Sequence, residues 1–149
     1  MADILSAEID ASGLAAMSRL SAGGPFVAAE LARALDAIAE EAIAIIQSNM
    51  HFDQGYATGE LEGSLQIDDS SELERRIYTE TPYAEFVEYG TGQRGADSGA
   101  APPDDYEYGP KPGMAAEPYM APSEPEIETF AEIRLVNAVD IALEGLAHG

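Results

Sequence analysis

The sequence contains no cysteine and no tryptophan, and Lys111 is the only lysine among its 149 residues. Without cysteine the chain forms no disulfide and offers no thiolate to a metal ion. No uninterrupted apolar run approaches the roughly 20 residues that a membrane-spanning helix needs. Residues 1–4 lack the basic segment and apolar stretch of a signal peptide. We therefore expect a soluble protein that is made in the cytoplasm and has no membrane contact.

Positive charge is also scarce: 28 aspartates and glutamates face seven lysines and arginines, giving a formal net charge of −21. Nucleic-acid binding is driven by cations that neutralise phosphates, so this composition excludes a conventional DNA or RNA reader. The acidic residues are spread along the chain and form no block. This favours a surface adapted to high salt, from a halophilic source, over a dedicated DNA mimic. A channel through which DNA slides is compatible with the same charge.

The length fits a single domain, 25–149, preceded by an N-terminal arm or short helix over 1–24. Glycines and a proline at 23–25 mark the break between the two. The spacing of apolar residues then predicts a long helix over 26–49. Its apolar face consists of Leu31, Leu35, Ile38, Ala42 and Ile45.

The middle of the chain predicts a small antiparallel sheet. Segments 64–67 and 73–79 alternate polar and apolar residues, and the acidic and serine residues of 68–71 supply a turn between them. A short helix over 83–89, ended by Gly90, is expected next.

The segment 92–116 is rich in glycine, proline and alanine and predicts a long irregular loop, which is either disordered or functional. A capping box of Ser123 and Glu126 indicates the start of the last helix. Its predicted apolar face consists of Ile127, Phe130, Ile133, Val136, Val139, Leu143 and Leu146. We therefore predict an α+β fold in which the long N-terminal helix and the C-terminal helix pack on a small antiparallel sheet.

Two sequence patterns resemble ligand-binding or catalytic sites, and we reject both interpretations. Residues 90–95 match G-x-G-x-x-G, but residues 96–103 contain a glycine and two prolines and cannot open the long helix of a dinucleotide site. His51, with Asp53 and either Asp68 or Asp69, fits a metal or general-base site no better than it fits a polar loop. His148 is one residue from the end of this sequence, where we expect a frayed segment. We expect no catalytic activity, no cofactor and no metal.

Three segments in order resemble the neck or tail-completion family of long-tailed double-stranded DNA viruses, whose members are often described as tail components. They are TGELEGSL at 58–65, TPYAEFVEYGTG at 81–92 and EPYMAPS at 117–123. Together with the first long helix they cover about residues 25–146. The chain departs from the family's pattern in a longer, more acidic segment before Pro118 and in a tyrosine at position 119.

The resemblance implies a non-catalytic protein of the head–tail neck in the virion, assembled in the host cytoplasm. It implies a homo-oligomeric ring, a hexamer or alternatively a dodecamer, around the DNA channel. The expected neighbours are the head-closure connector ring and the tail terminator or tail tube protein. An acidic lumen lets DNA pass without specific binding. The charge of this chain points to a virus of a halophilic archaeon.

The resemblance and the tyrosines of the loop give the candidate interface and motif residues. They are Thr58, Gly59, Leu61, Tyr83, Phe86, Glu88, Tyr89, Gly90, Thr91, Gly92, Tyr106, Tyr108, Pro118, Tyr119 and Met120. Core packing explains the aromatic residues of 83–89 equally well. Three alternatives remain open: a tail terminator, an acidic DNA mimic, and a small hydrolase that uses His51.

Overall fold

The computed structural model describes residues 5–10, 24–51 and 59–148, which form an α+β fold. The helices are α1 (Gly24–Ser48), α2 (Glu60–Gly63), α3 (Ala84–Tyr89), α4 (Gly92–Asp97) and α5 (Ser123–His148). The strands are β1 (Leu5–Asp10), β2 (Gln66–Asp68) and β3 (Glu74–Thr79). The predicted fold class is confirmed: two long helices and a small antiparallel sheet enclose one core.

The sheet has the strand order β1-β3-β2, and both pairs are antiparallel. The predicted hairpin of β2 and β3 is therefore confirmed, with Gln66 opposite Tyr78. Burial alternates along β3, where Arg75, Ile77 and Thr79 point into the protein. This alternation is the period of two that a strand imposes on its side chains.

The N-terminal prediction of an arm or short helix is wrong for residues 5–10, which form strand β1. Leu5 lies opposite Thr79 and Asp10 opposite Glu74. The segment LSAEID alternates apolar and polar residues, and this period of two indicates a strand. Pairing with β3 provides hydrogen bonds for the backbone of β1, which a mobile arm leaves to water.

Helix α1 forms the centre of the core. Four of its five predicted core residues, Leu31, Leu35, Ile38 and Ala42, are buried as expected. The fifth, Ile45, is only partly buried, and Ile46 is fully buried in its place. This face of α1 packs on β3 on one side and on α5 on the other.

Helix α5 runs antiparallel to α1. The Asn49 amide at the end of α1 donates to the Ser123 hydroxyl at the start of α5, at 2.9 Å. At the other end, Gly145 lies against the ring of Phe26. The Ser123 hydroxyl, predicted to form a capping box with Glu126, donates to the carbonyl of Tyr119 at 2.5 Å.

The predicted apolar face of α5 is correct at Ile127 and wrong at Ile133, Val136 and Leu143, which are exposed. Its members recur mostly every three residues, and each such step falls about 60° short of a full turn of an α-helix. The predicted face therefore winds around the helix and cannot all meet one neighbour. The face that packs on the core consists of Ile127, Ala131, Leu135, Ala138 and Ala142.

The loop between α3 and α5 is long and largely irregular, as predicted, but it begins with a short helix, α4, that the sequence pattern did not predict. Residues 98–118 then fold back on α4 instead of extending into solvent. An isolated bridge pairs Thr91 with Met114. This arrangement brings together most of the candidate residues.

Candidate functional site

A buried carboxylate organises the site. The side chain of Glu88 on α3 is only 2% exposed, and its oxygens accept three backbone N–H groups from the segment that leads into α5. These donors belong to Tyr119 at 2.7 Å and to Met120 and Ala121, both at 2.9 Å. Three donors offset the desolvation of a buried charge, which is otherwise expensive. Glu88 therefore fixes where α5 begins relative to α3.

Tyr119 has the largest fully buried side chain among the described residues, and it reinforces the same junction. Its hydroxyl donates to the carbonyl of Ala84 at 3.1 Å. Burial, and then the charge of Glu88, raises the pKa of Tyr119 far above its ordinary value. The phenol therefore stays protonated and acts as a hydrogen-bond donor, so that Tyr119 and Glu88 hold two of the three family-like segments together.

The glycines of 90–95 serve close packing. Gly90 and Gly92 have φ of 77° and 61°, a left-handed conformation that favours glycine. A Cβ on Gly92 would lie 2.0 Å from the carbonyl oxygen of Lys111, and one on Gly95 would lie 2.9 Å from the ring of Tyr108. The G-x-G-x-x-G spacing thus lets residues 98–118, the returning loop that folds back on α4, approach the backbone of 90–95.

The returning loop is fastened by backbone hydrogen bonds as well as by packing. Thr91 and Met114 exchange two of them, at 2.8 and 3.0 Å. The N–H of Gln93 donates to the carbonyl of Lys111 at 2.9 Å, and the N–H of Glu117 donates to the carbonyl of Val87 at 2.8 Å. Backbone groups that are paired in this way hold the loop in one conformation.

Three of the candidate tyrosines stack in this region. The rings of Tyr89 and Tyr106 meet edge to face with centroids 5.2 Å apart, and Tyr106 meets Tyr108 in the same manner at 5.2 Å. The Tyr106 hydroxyl donates to the carbonyl of Gly90 at 2.5 Å. All three are partly buried, so their contacts within the chain stabilise the docked loop.

A shallow acidic cavity of about 220 Å³ lies beside the tyrosines, lined in part by Glu85, Phe86, Asp105 and Glu107. Partial burial, and then the charge of Asp105, raises the pKa of Glu85. The ring of Phe86 remains 45% exposed. Among the candidate aromatic residues, Phe86 is therefore the one with the most surface free to meet another molecule.

The other candidate residues lie at varied places. Gly59 is exposed with φ of 75° and precedes α2, whereas Leu61 is 1% exposed and belongs to the core. Tyr83 is partly buried, and its hydroxyl lies 3.4 Å from a carboxylate oxygen of Glu60. Pro118 is exposed and Met120 is buried. Thr58 lies outside the described residues.

Helix α5 has four exposed aliphatic side chains, and the sequence pattern assigned three of them, Ile133, Val136 and Leu143, to the core. Ile133 and Ile141 are each 58% exposed, Val136 is 51% exposed and Leu143 is 48% exposed. Four large aliphatic side chains on one helix are a large apolar surface for so acidic a chain. A helical wheel of α5 reveals these exposed positions from the sequence. On it they lie outside the stripe formed by Ala131, Leu135, Ala138 and Ala142.

The described residues do not assemble a catalytic or metal site around His51. His51 is exposed, and Asp53 lies outside the described residues. Over residues 5–10, 24–51 and 59–148, no group of three or more histidines and carboxylates is placed to hold a metal ion. Within the same residues no helix is long and apolar enough to cross a membrane.

The comparisons with known proteins return no relative. The chain matches no protein-family model, and neither a curated protein nor a solved structure is significantly similar to it.

Proposed function

We propose that the chain is a structural protein of the head–tail neck of a long-tailed virus. It forms a homo-oligomeric ring, most simply a hexamer, that completes the tail and joins it to the head-closing connector around the DNA channel. The order and spacing of the three segments at 58–65, 81–92 and 117–123 support this place in the virion.

The observation that carries the proposal is the apolar surface of α5. Covering exposed hydrophobic side chains with a partner stabilises the complex by roughly 25 cal/mol for each Å² of apolar surface removed from water. Ile133, Val136, Ile141 and Leu143 expose about half of their surface each in a single chain. A protein that works inside a ring needs such a surface for its neighbours.

The fixed loop supports the same role. A ring must present the same contacts from every copy, and an ordered loop loses little conformational entropy when it meets a neighbouring ring. Residues 98–118 are held in this way by the Thr91–Met114 bridge and by the Tyr106 hydroxyl. The exposed Phe86 lies beside this loop and provides an aromatic surface for contact with the neighbouring ring.

The charge supports a channel that DNA crosses without binding. A net charge of −21 repels phosphate, so a ring of such chains does not retain the DNA that passes through it. The same charge fits a virus of a halophilic archaeon, where molar salt screens the repulsion between neighbouring copies. A tail terminator would use the same ring and differ only in the neighbour it caps.

Mass photometry of the purified protein at molar salt tests the proposal. The expected result is a closed ring of six copies, or of twelve, that does not retard duplex DNA. The fraction of rings should fall at low salt, because repulsion between acidic copies is then unscreened. A stable monomer that captures a basic host protein would contradict the neck assignment and support a DNA mimic.

A further inference from the structure

The returning loop consists of two parts that are held in different ways. Residues 110–117 are fastened by backbone hydrogen bonds to α3, to α4 and to the residues between them. Residues 100–108, which we call the strap, are held by the ring and hydroxyl of Tyr106 and by the ring of Tyr108. A backbone bond from the N–H of Gly92 to the carbonyl of Tyr108, at 2.5 Å, ties the end of the strap to α4. Surface segments held mainly by side chains open at a lower free energy than the core does.

Both ends of the strap are flanked by glycines that are suited to act as hinges. Gly99 and Gly109 have φ of 77° and 81°, and no atom lies within 4 Å of a Cβ added to either. A glycine in open space changes its backbone angles without a steric penalty, and such loop positions absorb the rotation when a segment moves. The strap can therefore lift as a unit while residues 110–117 stay in place.

Like charges meet where the strap lies on α3. The acidic cavity receives Glu85 from α3 and Asp105 and Glu107 from the strap, and none of the described residues that line it is an arginine or a lysine. Like charges in such a cluster repel each other, and salt screens the repulsion where the charges are exposed. The docked position of the strap is therefore opposed by charge and favoured by its tyrosine contacts.

Carboxylates face Glu85 from each element that packs around it. The strap contributes Asp105 and Glu107. Burial, and then the charges of Glu88, Glu85 and Glu124, raises the pKa of the tyrosine at the end of α3, so α3 itself and the start of α5 each add a carboxylate to the group. Lifting the strap removes its two carboxylates from this group and leaves the others in place.

We propose that the strap is a switch, which is docked on α3 at molar salt or mildly acidic pH and lifts at low salt and neutral pH. The screening length falls from about 10 Å at 0.1 M salt to about 3 Å at 1 M, so molar salt removes most of the repulsion. The lifted strap uncovers the ring of Tyr89, on which Tyr106 packs. This inference goes beyond the proposed ring and does not depend on it, although the ring works at the salt concentration that docks the strap.

The titration of Glu85 gives the direction of the pH response. Partial burial, followed by the charge of Asp105, raises the pKa of Glu85 in the docked state. When the strap lifts, this pKa returns towards its ordinary value, so the docked state binds the proton more tightly. A fall in pH therefore favours docking, and this advantage is lost as the pH rises through the raised pKa.

Amide hydrogen exchange, measured by NMR on the full chain, tests the switch. The N–H of Gly92 donates to the strap, at the carbonyl of Tyr108. The N–H of Gln93 donates to the carbonyl of Lys111, which lies outside the strap, and serves as the internal reference. The ratio of the two exchange rates reports lifting of the strap, because salt and pH act on the exchange chemistry of both amides alike. The amides of α1 are followed in the same sample, and only conditions in which they stay protected are compared.

The charge on the strap is tested with two neighbouring variants. Asp105→Asn removes a charge from the cavity, and Asp104→Asn is the matched control because Asp104 is exposed and does not line the cavity. At low salt, Asp105→Asn should slow the exchange of Gly92 relative to Gln93 by roughly two- to five-fold, the range expected for exposed charge pairs. The control should leave the ratio unchanged. Equal effects of the two variants would show that net charge alone governs the loop, which overturns the inference.

Glu85→Gln gives a check from the other side of the contact. It should slow the exchange of Gly92 in the same direction. Its combination with Asp105→Asn should slow exchange by less than the product of the two single effects, because the two charges repel each other. In the natural chain the ratio should fall towards its molar-salt value when the pH is lowered from about 7 to about 5. A ratio that responds neither to salt nor to pH would overturn the inference.

Docking of the strap is separated from assembly by varying the protein concentration. Docking within one chain gives the same ratio at every concentration, whereas protection by a second copy increases with concentration. A ratio that changes with concentration would assign the protection of Gly92 to a neighbouring copy and overturn the switch. Rings formed by a chain whose ratio is independent of salt would also refute the switch and leave the proposed function standing.

Discussion

The carboxylate of Glu88 accepts a hydrogen bond from the backbone N–H of Tyr119 at 2.7 Å, across 31 positions of the chain. Two further backbone N–H groups donate to the same carboxylate, and the side chain is almost fully buried. This contact joins helix α3 to the start of α5 and so orients the helix on which the ring contact is proposed. It links a motif residue to the placement of α5, the helix that carries the proposed contact surface.

Glu88→Gln should destabilise the fold. An amide replaces one acceptor oxygen with a donor, which then faces a backbone N–H and leaves it without a partner. Leaving a buried donor unsatisfied costs about 1–3 kcal/mol. Denaturant unfolding at molar salt measures the loss, and a change below about 0.5 kcal/mol would contradict the role assigned to Glu88.

Glu85 on the same helix provides the matched control, because its replacement by glutamine is expected to raise the free energy of unfolding instead of lowering it. Partial burial, followed by the charge of Asp105, raises the pKa of Glu85 in the folded protein. A carboxyl group with a raised pKa binds its proton more tightly when folded, so its charge destabilises the fold above that pKa. The penalty disappears as the pH falls below the unfolded pKa.

Glu85→Gln should therefore raise the free energy of unfolding slightly at neutral pH. The difference from the natural chain should shrink towards zero by about pH 3, where both side chains are uncharged. Unfolding measured at the two pH values checks the sign. A variant that is less stable than the natural chain at neutral pH would show that the Glu85 charge is favourable.

Gly92 should not tolerate a side chain. Its φ is 61°, and an added Cβ would lie 2.0 Å from the Lys111 carbonyl oxygen. Gly99 has a similar φ of 77° but no atom within 4 Å of such a Cβ, so Gly99→Ala measures the backbone strain alone. That strain costs about 1–2 kcal/mol.

Gly92→Ala should lose more than this, because the returning loop must also move away from α4. Thermal unfolding of the two variants side by side gives the difference. Equal losses would mean that the loop packs less closely on 90–95 than the structure shows.

Arg75 is a buried cation on strand β3, with 5% of its surface exposed. Its guanidinium donates to a carboxylate oxygen of Asp36 on α1 at 2.7 Å and to the carbonyls of Ser71 at 2.8 Å and Glu74 at 2.9 Å. The Ser71 carbonyl lies in the hairpin turn and the Glu74 carbonyl at the start of β3, whereas Asp36 has a largely exposed side chain. Arg75 thus connects the turn to helix α1.

Arg75→Ala should cost about 2–4 kcal/mol, because it removes several hydrogen bonds and leaves space in a packed region. Asp36→Asn should cost less than about 1 kcal/mol, since the carboxylate of this pair is largely exposed and its attraction to Arg75 is screened by water and salt. Equilibrium unfolding of both variants tests the ranking. Equal losses would place the main contribution in the ion pair instead of the turn.

Much of the fold is predictable from short-range patterns in the sequence. The spacing of Leu31, Leu35, Ile38 and Ala42 predicts the buried face of α1 because one helix face meets one core. The hairpin is predicted by its alternation and turn residues. Strand β1 was missed because its alternation is short and its partner, β3, lies about 70 residues further along the chain.

The site is less predictable because its contacts are long-range. The motif places Glu88 among the candidates, but the three N–H groups that it accepts become visible only in three dimensions. The exposure of Ile133 and Ile141 results from alanines on α5 taking the places that face α1. Small residues let two helices approach closely, so the buried stripe of α5 has smaller apolar side chains than its exposed positions.

Cryo-electron microscopy of intact virions at molar salt tests the central claim most directly. The account expects a closed ring of this chain between the portal and the tail tube, in which neighbouring subunits cover the exposed aliphatic side chains of α5. Virions whose neck density contains no copy of the chain would contradict it.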